Sequence, residues 1–171
     1  MEVEVVAPDA HDELASEIKH SSEFTFIPID DGTPAKWNES IHRSGADIIV
    51  LITADITLRA ATIEHLIERY HSKRLIGIAD NRFSVVDGRL LVFDRELWNE
   101  INQFDEQLHP QLSTLDFTLK AKESGYRLEK IPRHALGIAA LSSRFRGYSL
   151  RGILYLFGKH PKLVIQLFSG V

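Results

Sequence analysis

Apolar and polar positions follow two rhythms along this chain. Val3 to Val6 alternates acidic and aliphatic residues, as a short strand does, and Ala7-Pro8-Asp9 ends it. Leu14, Ala15 and Ile18 recur at helical spacing within Asp12 to Lys19, with Asp9 or Asp12 placed to cap that helix. Phe24 to Ile29 reads as a second strand closed by Asp30-Asp31-Gly32, and Ala35 to Arg43 as a helix with Trp37 and Ile41 on one face. Ile48 to Ile52 is an unbroken aliphatic run, the pattern of a strand buried on both sides of a parallel sheet. Ile63, Leu66, Ile67 and Tyr70 form one stripe in Thr57 to Tyr70, the clearest helix.

The order then changes. Leu75 to Ala79 and Leu90 to Phe93 read as strands, joined in part by a turn at Val86-Asp87-Gly88-Arg89. Arg95 to Ile101 and Leu115 to Glu123 read as helices, the second ending at Ser124-Gly125, where glycine supplies a left-handed terminus. Tyr126 to Ile131 is a last strand. Strict alternation in the first half and mixed order in the second predict an α/β fold: an open mixed sheet with helices on both faces, in three α/β/α layers.

Composition narrows the class. A chain of 171 residues, 44% hydrophobic and 26% charged, suits one globular domain rather than a disordered segment. With no cysteine, disulfides, thiolate metal sites and cysteine nucleophiles are excluded. Met1 to Val6 lacks the basic and long apolar segments of a secretory signal, so a cytoplasmic location is expected.

Charge is unevenly spread. The net value is −4, yet Glu129 is the last acid, and the residues after it carry seven basic side chains: Lys130, Arg133, Arg144, Arg146, Arg151, Lys159 and Lys162. An acidic body with a basic end points to an anionic partner, or to a basic face that pairs with the body. The basic end is also apolar: Tyr148, Leu150 and Ile153 to Phe157 precede Gly158-Lys159-His160-Pro161, and Leu163 to Phe168 follow. Each apolar stretch is shorter than the roughly 20 residues of a membrane-spanning helix. The division expected is a domain over residues 1–140 and a basic, apolar helical tail over residues 141–171. That tail either lies on an anionic membrane surface, peripheral on the inner face, or packs on the sheet, on a second copy or on a partner subunit. Basic residues are not interleaved with aromatics elsewhere, so no nucleic-acid partner is expected.

Five short motifs occur in a telling order. Gly32-Thr33-Pro34-Ala35-Lys36-Trp37-Asn38 leads to the strand Ala46 to Ile52 and to Thr53-Ala54-Asp55. Gly88 to Phe93 precedes Asp94-Arg95-Glu96, followed by Gln103-Phe104-Asp105-Glu106. Ser113-Thr114-Leu115-Asp116-Phe117 then runs to Gly125-Tyr126-Arg127 and Ile131-Pro132. In order and spacing this set resembles the family-2 glycosyltransferases of the GT-A fold, over about two thirds of the chain. Two alignments arise at the N-terminus. One matches Val3 to Val6 to the family's second strand, with the first strand–helix unit missing, and needs no internal gap; it is preferred here. The other makes Val5-Val6-Ala7-Pro8 the first strand and Asp30-Asp31-Gly32 the nucleotide-binding turn.

The resemblance implies transfer of a sugar from a nucleotide-diphospho-sugar donor to an acceptor that is lipid-linked in many members. It implies a divalent cation, Mn or Mg, on Asp-x-Asp carboxylates against the leaving diphosphate, and a carboxylate base on the acid helix. Carried over by residue, the second metal-binding Asp is Asp55, whereas the first is Thr53. The usual base position is Thr114, which does not act as a base near neutral pH, and Asp116 is the nearest carboxylate on the acceptor side. Asp30, Asp31, Lys36 and Asn38 fall at nucleotide-sugar contacts. Each has a plainer reading: a helix cap for Asp55, a first-turn acid for Asp116, turn residues for Asp30 and Asp31, and a solvated helix face for Lys36 and Asn38. Trp37 and Trp98 suit the core. The histidines show no metal spacing and read as surface or packing residues. Two functions follow as expectations: a glycosyltransferase with altered metal and base motifs, or a GT-A-fold scaffold that has lost catalysis and works through its tail.

Overall fold

The run Ile48–Ile52 is buried at every position, so it needs cover on both faces. It forms the third strand, β3, of a six-stranded sheet. In the computed structural model, residues 1–9, 11–19, 24–30, 32–53, 56, 58–79, 85–136 and 150–161 are described. Their strands are β1 (Val3–Pro8), β2 (Phe24–Ile29), β3, β4 (Arg74–Ala79), β5 (Val86–Asp94) and β6 (Arg127–Ile131). The helices are α1 (Asp12–Lys19), α2 (Pro34–Arg43), α3 (Ala60–Glu68), α4 (Arg95–Glu100), α5 (Pro110–Glu123) and α6 (Leu150–Lys159), with a 3-10 turn at Arg133–Leu136.

The sheet order is β2-β1-β3-β5-β4-β6. β1 pairs in parallel with both β2 and β3, β5 runs antiparallel to β3 and β4, and β4 is parallel to β6. One core lies between the sheet and α1 and α3, built from Val3, Val5, Leu14, Ile18, Val50, Ile63 and Leu66. The other lies between the opposite face and α2, α4 and α5, where Trp37, Ile41, Leu97, Trp98 and Phe117 meet Ile49, Leu91 and Phe93. This is the expected three-layer α/β/α fold, and both tryptophans are in its core.

Several boundaries depart from the sequence reading. The four residues Val86 to Arg89 belong to β5 rather than to a turn. The β4–β5 register shifts between Gly77 and Ile78, and this irregularity hides the strand from a period-2 pattern. α5 starts at Pro110, a proline at its first position, and not at Leu115. Its buried residues include Leu112, Ser113, Thr114, Asp116, Phe117, Thr118, Leu119 and Ala121, so it has no polar face to reveal it. α3 starts at Ala60 rather than Thr57, and the Glu17 carboxylate accepts the Ala60 N–H at 2.8 Å. α6 runs through Gly158 without a break. Gly125, at φ +83°, does close α5 in the left-handed conformation.

β1 also corrects the preferred alignment. A missing first strand would leave a gap beside β3, yet β1 bonds directly to β2 on one side and β3 on the other. That is where the first strand of a doubly wound sheet sits. Val5-Val6-Ala7-Pro8 is therefore the first strand, and Asp30 follows the second.

Candidate functional site

Open α/β sheets take ligands outside the carboxyl ends of their strands, where the strand order reverses. Here that point lies between β1 and β3. From β3, Thr53 donates its backbone N–H to the Arg89 carbonyl at 3.0 Å, joining the end of β3 to the start of β5. Asp87 is buried there and grips the Arg89 guanidinium with both carboxylate oxygens. From β1, the chain turns through Pro8 to His11, whose carbonyl accepts the first bond of α1 from Ala15 at 2.9 Å.

His11 is 6% exposed. Burial pushes its pKa down, and a hydrogen bond to the Thr53 backbone only partly opposes this. The ring is thus neutral near pH 7, and its Nε2 is buried without a hydrogen-bond partner. His11, Asp87 and Arg89 are the residues at this edge that sequence reasoning missed. No spacing marks His11 as more than a packing histidine, and Asp87 and Arg89 meet this edge only because they lie in β5.

The residues expected to contact the donor do not share one place. Asp30 is exposed just beyond β2. Asp31 and Asp55 lie outside the described residues. Lys36 pairs with Glu39 at 2.9 Å along α2. Asn38 is buried and turns away from the edge: its Nδ2 donates to the Phe104 carbonyl at 2.9 Å and to Glu106 Oε1 at 3.0 Å, and its Oδ1 accepts the Phe104 N–H at 3.0 Å. It fastens α2 to the turn before α5.

Thr114 and Asp116 share α5 but face different neighbours, as residues two apart on a helix must. Thr114 lies against β5 at Gly88: a Cβ there would come within 2.1 Å of the Thr114 Cβ and Oγ1. Its hydroxyl donates to the Gln111 carbonyl at 3.0 Å. Asp116 sits mid-helix, not in the first turn, and is fully buried. Lys159 Nζ and His160 Nε2 reach its Oδ1 at 3.1 and 3.0 Å, and Lys120 Nζ lies 2.8 Å from its Oδ2. Burial alone would push the Asp116 carboxyl up, but the bonds from His160, Lys120 and Lys159 outweigh it and hold the pKa at about 2. Asp105 joins the cluster through Lys159 at 2.7 Å and the Tyr155 hydroxyl at 3.0 Å. The helix that brings these partners, α6, also packs Leu156 among Leu108, Leu112, Leu119 and Val85.

Among the described residues, no group of three His, Cys, Asp or Glu side chains could hold a metal ion. His11 Nε2 is the one bare nitrogen at the edge in that set, and by itself it does not make a metal centre.

No family model matches the chain, and no curated protein matches it. Solved structures do. The mannosyltransferase PcManGT from Pyrobaculum calidifontis, in complex with GDP-Man and Mn2+, superposes with a TM-score of 0.61 at 13% identity, covering 98% of this chain and 63% of that one. The catalytic domain of Drosophila beta1,4-galactosyltransferase 7, in complex with xylobiose, gives 0.53 at 15% identity, covering 75% and 64%. Staphylococcus aureus TarS, residues 1–349, gives 0.53 at 14% identity, covering 77% and 58%. The fold is that of GT-A-type glycosyltransferases, and the chain spans less than two thirds of the length of each of these structures.

Proposed function

We propose that this chain is a nucleotide-diphospho-sugar-binding glycosyltransferase whose donor lies across the carboxyl ends of β1 and β3. The observation that carries this reading is the sheet order: β1 bonds to both β2 and β3, so the strand order reverses at the edge lined by His11, Thr53 and Arg89. The similarity to GT-A-type enzymes over nearly the whole chain supports it. In this reading Asp30 and Asp31 meet the nucleoside, Lys36 the diphosphate, and Asp55 a divalent cation. The acceptor is lipid-linked.

Calorimetric titration with GDP- and UDP-sugars, with and without manganese, tests the reading. Binding of one of them that weakens in Asp55→Asn and on chelation is the expected result. The absence of binding to any nucleoside diphosphate overturns it.

A specific observation favours a second reading, a scaffold without transferase activity. Asp116 has no exposed surface and three cationic partners, and Thr114 is closed in against Gly88, so neither presents a base to an acceptor. Donor binding without transfer distinguishes the scaffold from the enzyme.

A further inference from the structure

We infer that the outward face of α6 is a docking surface for an anionic lipid bilayer. The helix has two unlike faces. Leu156 turns inward to the leucines of α5, and Lys159 and His160 are held by Asp105, Asp116 and Glu123. Leu154 and Phe157 turn outward, 62% and 39% exposed, and the Tyr155 ring beside them is 40% exposed while its hydroxyl donates to Asp105. Apart from Met1, they are the exposed large hydrophobic residues among those described. Single apolar residues scatter over any protein surface, but three within four positions of one helix make a patch that calls for a partner.

Charge identifies the partner. Arg151 is exposed one turn before Leu154 and stands on the same side of the helix. In sequence, Arg144 and Arg146 precede α6 and Lys162 follows it, with no acid after Glu129. Residues 1–129 carry 13 basic against 24 acidic side chains, so an anionic surface repels the body and attracts this end. Lys159 is spent on Asp105 and Asp116 and adds nothing outward.

A second copy of the chain fits the patch poorly. A helix of ten residues is about 15 Å long, and three side chains on it fall well short of the roughly 800 Å² per partner of a stable interface. A bilayer needs no matching shape: a short amphipathic helix with basic flanks lies in the headgroup plane. No helix among the described residues is long and apolar enough to cross it. The surface itself does not depend on the donor reading.

Vesicle flotation of the full chain tests this, using phosphatidylcholine with and without phosphatidylglycerol. The chain is expected to float with the anionic vesicles, less so as salt is raised, and weakly with phosphatidylcholine alone. Arg151→Gln should lower partitioning about fivefold, and the Leu154→Ser/Phe157→Ser double variant more than about tenfold. Both substitutions are at exposed positions, so the unfolding midpoint should hold. Three results overturn the proposal. The chain stays out of anionic vesicles at low salt, or the double variant floats as well as the parent. Alternatively, the double variant loses stability or abolishes a lipid-free dimer, and the face is then covered by protein. Nucleotide titration of the same samples reads the donor site separately, so failure of either idea leaves the other standing.

Discussion

His160 bridges two carboxylates on α5 with its two ring nitrogens: Nε2 lies 3.0 Å from Asp116 Oδ1 and Nδ1 lies 2.9 Å from Glu123 Oε2. Ionised carboxylates only accept, so both nitrogens donate and the ring is the imidazolium. The contact clasps the end of α6 to the middle of α5. The carboxylate it closes over is the one that a GT-A resemblance assigns to the acceptor.

Removing the Asp116 charge should loosen that clasp. Asp116→Asn leaves Lys120, Lys159 and His160 around a neutral amide, and breaking a buried pair costs about 3–5 kcal/mol. Lys120 and Lys159 keep some access to water, with side chains 19% and 31% exposed, so the lower end of that range is expected in urea denaturation. Hydrogen exchange should rise in α6 before it rises in β3. A loss below about 1 kcal/mol, with α6 still protected, would show that the cluster is incidental.

The pH dependence should reveal two histidines acting in opposite directions. Burial opposes the charge on His160, but the bonds to Asp116 and Glu123 outweigh it and raise the pKa. Its contribution is therefore complete below the unfolded value near 6.5 and is lost as pH rises through the folded value. His11 is depressed, so the unfolded chain binds the proton more readily and stability falls as pH drops below about 6.5. In His160→Gln, acidification from pH 7 to pH 5 should lower the urea midpoint; in His11→Gln it should raise it. Asp116 holds its contribution until pH falls below about 4, toward its folded value near 2. Identical profiles in the two variants would count against this assignment.

Asn38 tests whether a residue expected at the nucleotide serves the packing of α2 instead. Its amide makes three hydrogen bonds to the Phe104–Glu106 turn. Asn38→Ala should cost about 2–3 kcal/mol, because it strands a buried carbonyl and N–H. Nucleotide affinity, measured well below the melting temperature, should be unchanged. A normal melting curve with tenfold weaker nucleotide binding would return Asn38 to the donor site.

The contact between Gly88 and Thr114 sets a cost on restoring a base. Gly88→Ala places a Cβ 2.1 Å from the Thr114 side chain, and overpacking of this kind costs about 1–3 kcal/mol. Thr114→Gly should recover part of that loss in the double variant. Thr114→Asp puts a carboxylate into a 4% exposed position, so it should destabilise the fold and raise its own pKa by burial. Transfer that increases in Thr114→Asp with no loss of stability would show that this face of α5 opens to an acceptor.

Much of the fold is determined by residues that act locally. Ile48 to Ile52 can only be a doubly covered strand, Ile63 and Leu66 set the buried face of α3, and Gly125 ends α5 where its positive φ is needed. The order of those elements was enough to resemble a GT-A sheet with helices on both faces. Other features depended on long-range packing that periodicity does not record. The start of α5 is not legible in the sequence, because tertiary burial on all sides erases the polar stripe that marks a surface helix. The first half of β5 has the pattern of a turn, because its pairing with β4 shifts register there. The place of β1 between β2 and β3 was a matter of which strands meet, and it reversed the preferred alignment. The site divides in the same way. The sequence alone placed Thr53 at the end of β3 and Asp116 in a helix, with Thr114 just before it. Only the tertiary structure put His11 beside Thr53, Asn38 on Phe104, and Lys159 and His160 over Asp116, because each of these contacts joins residues dozens of positions apart whose spacing carries no periodic signal.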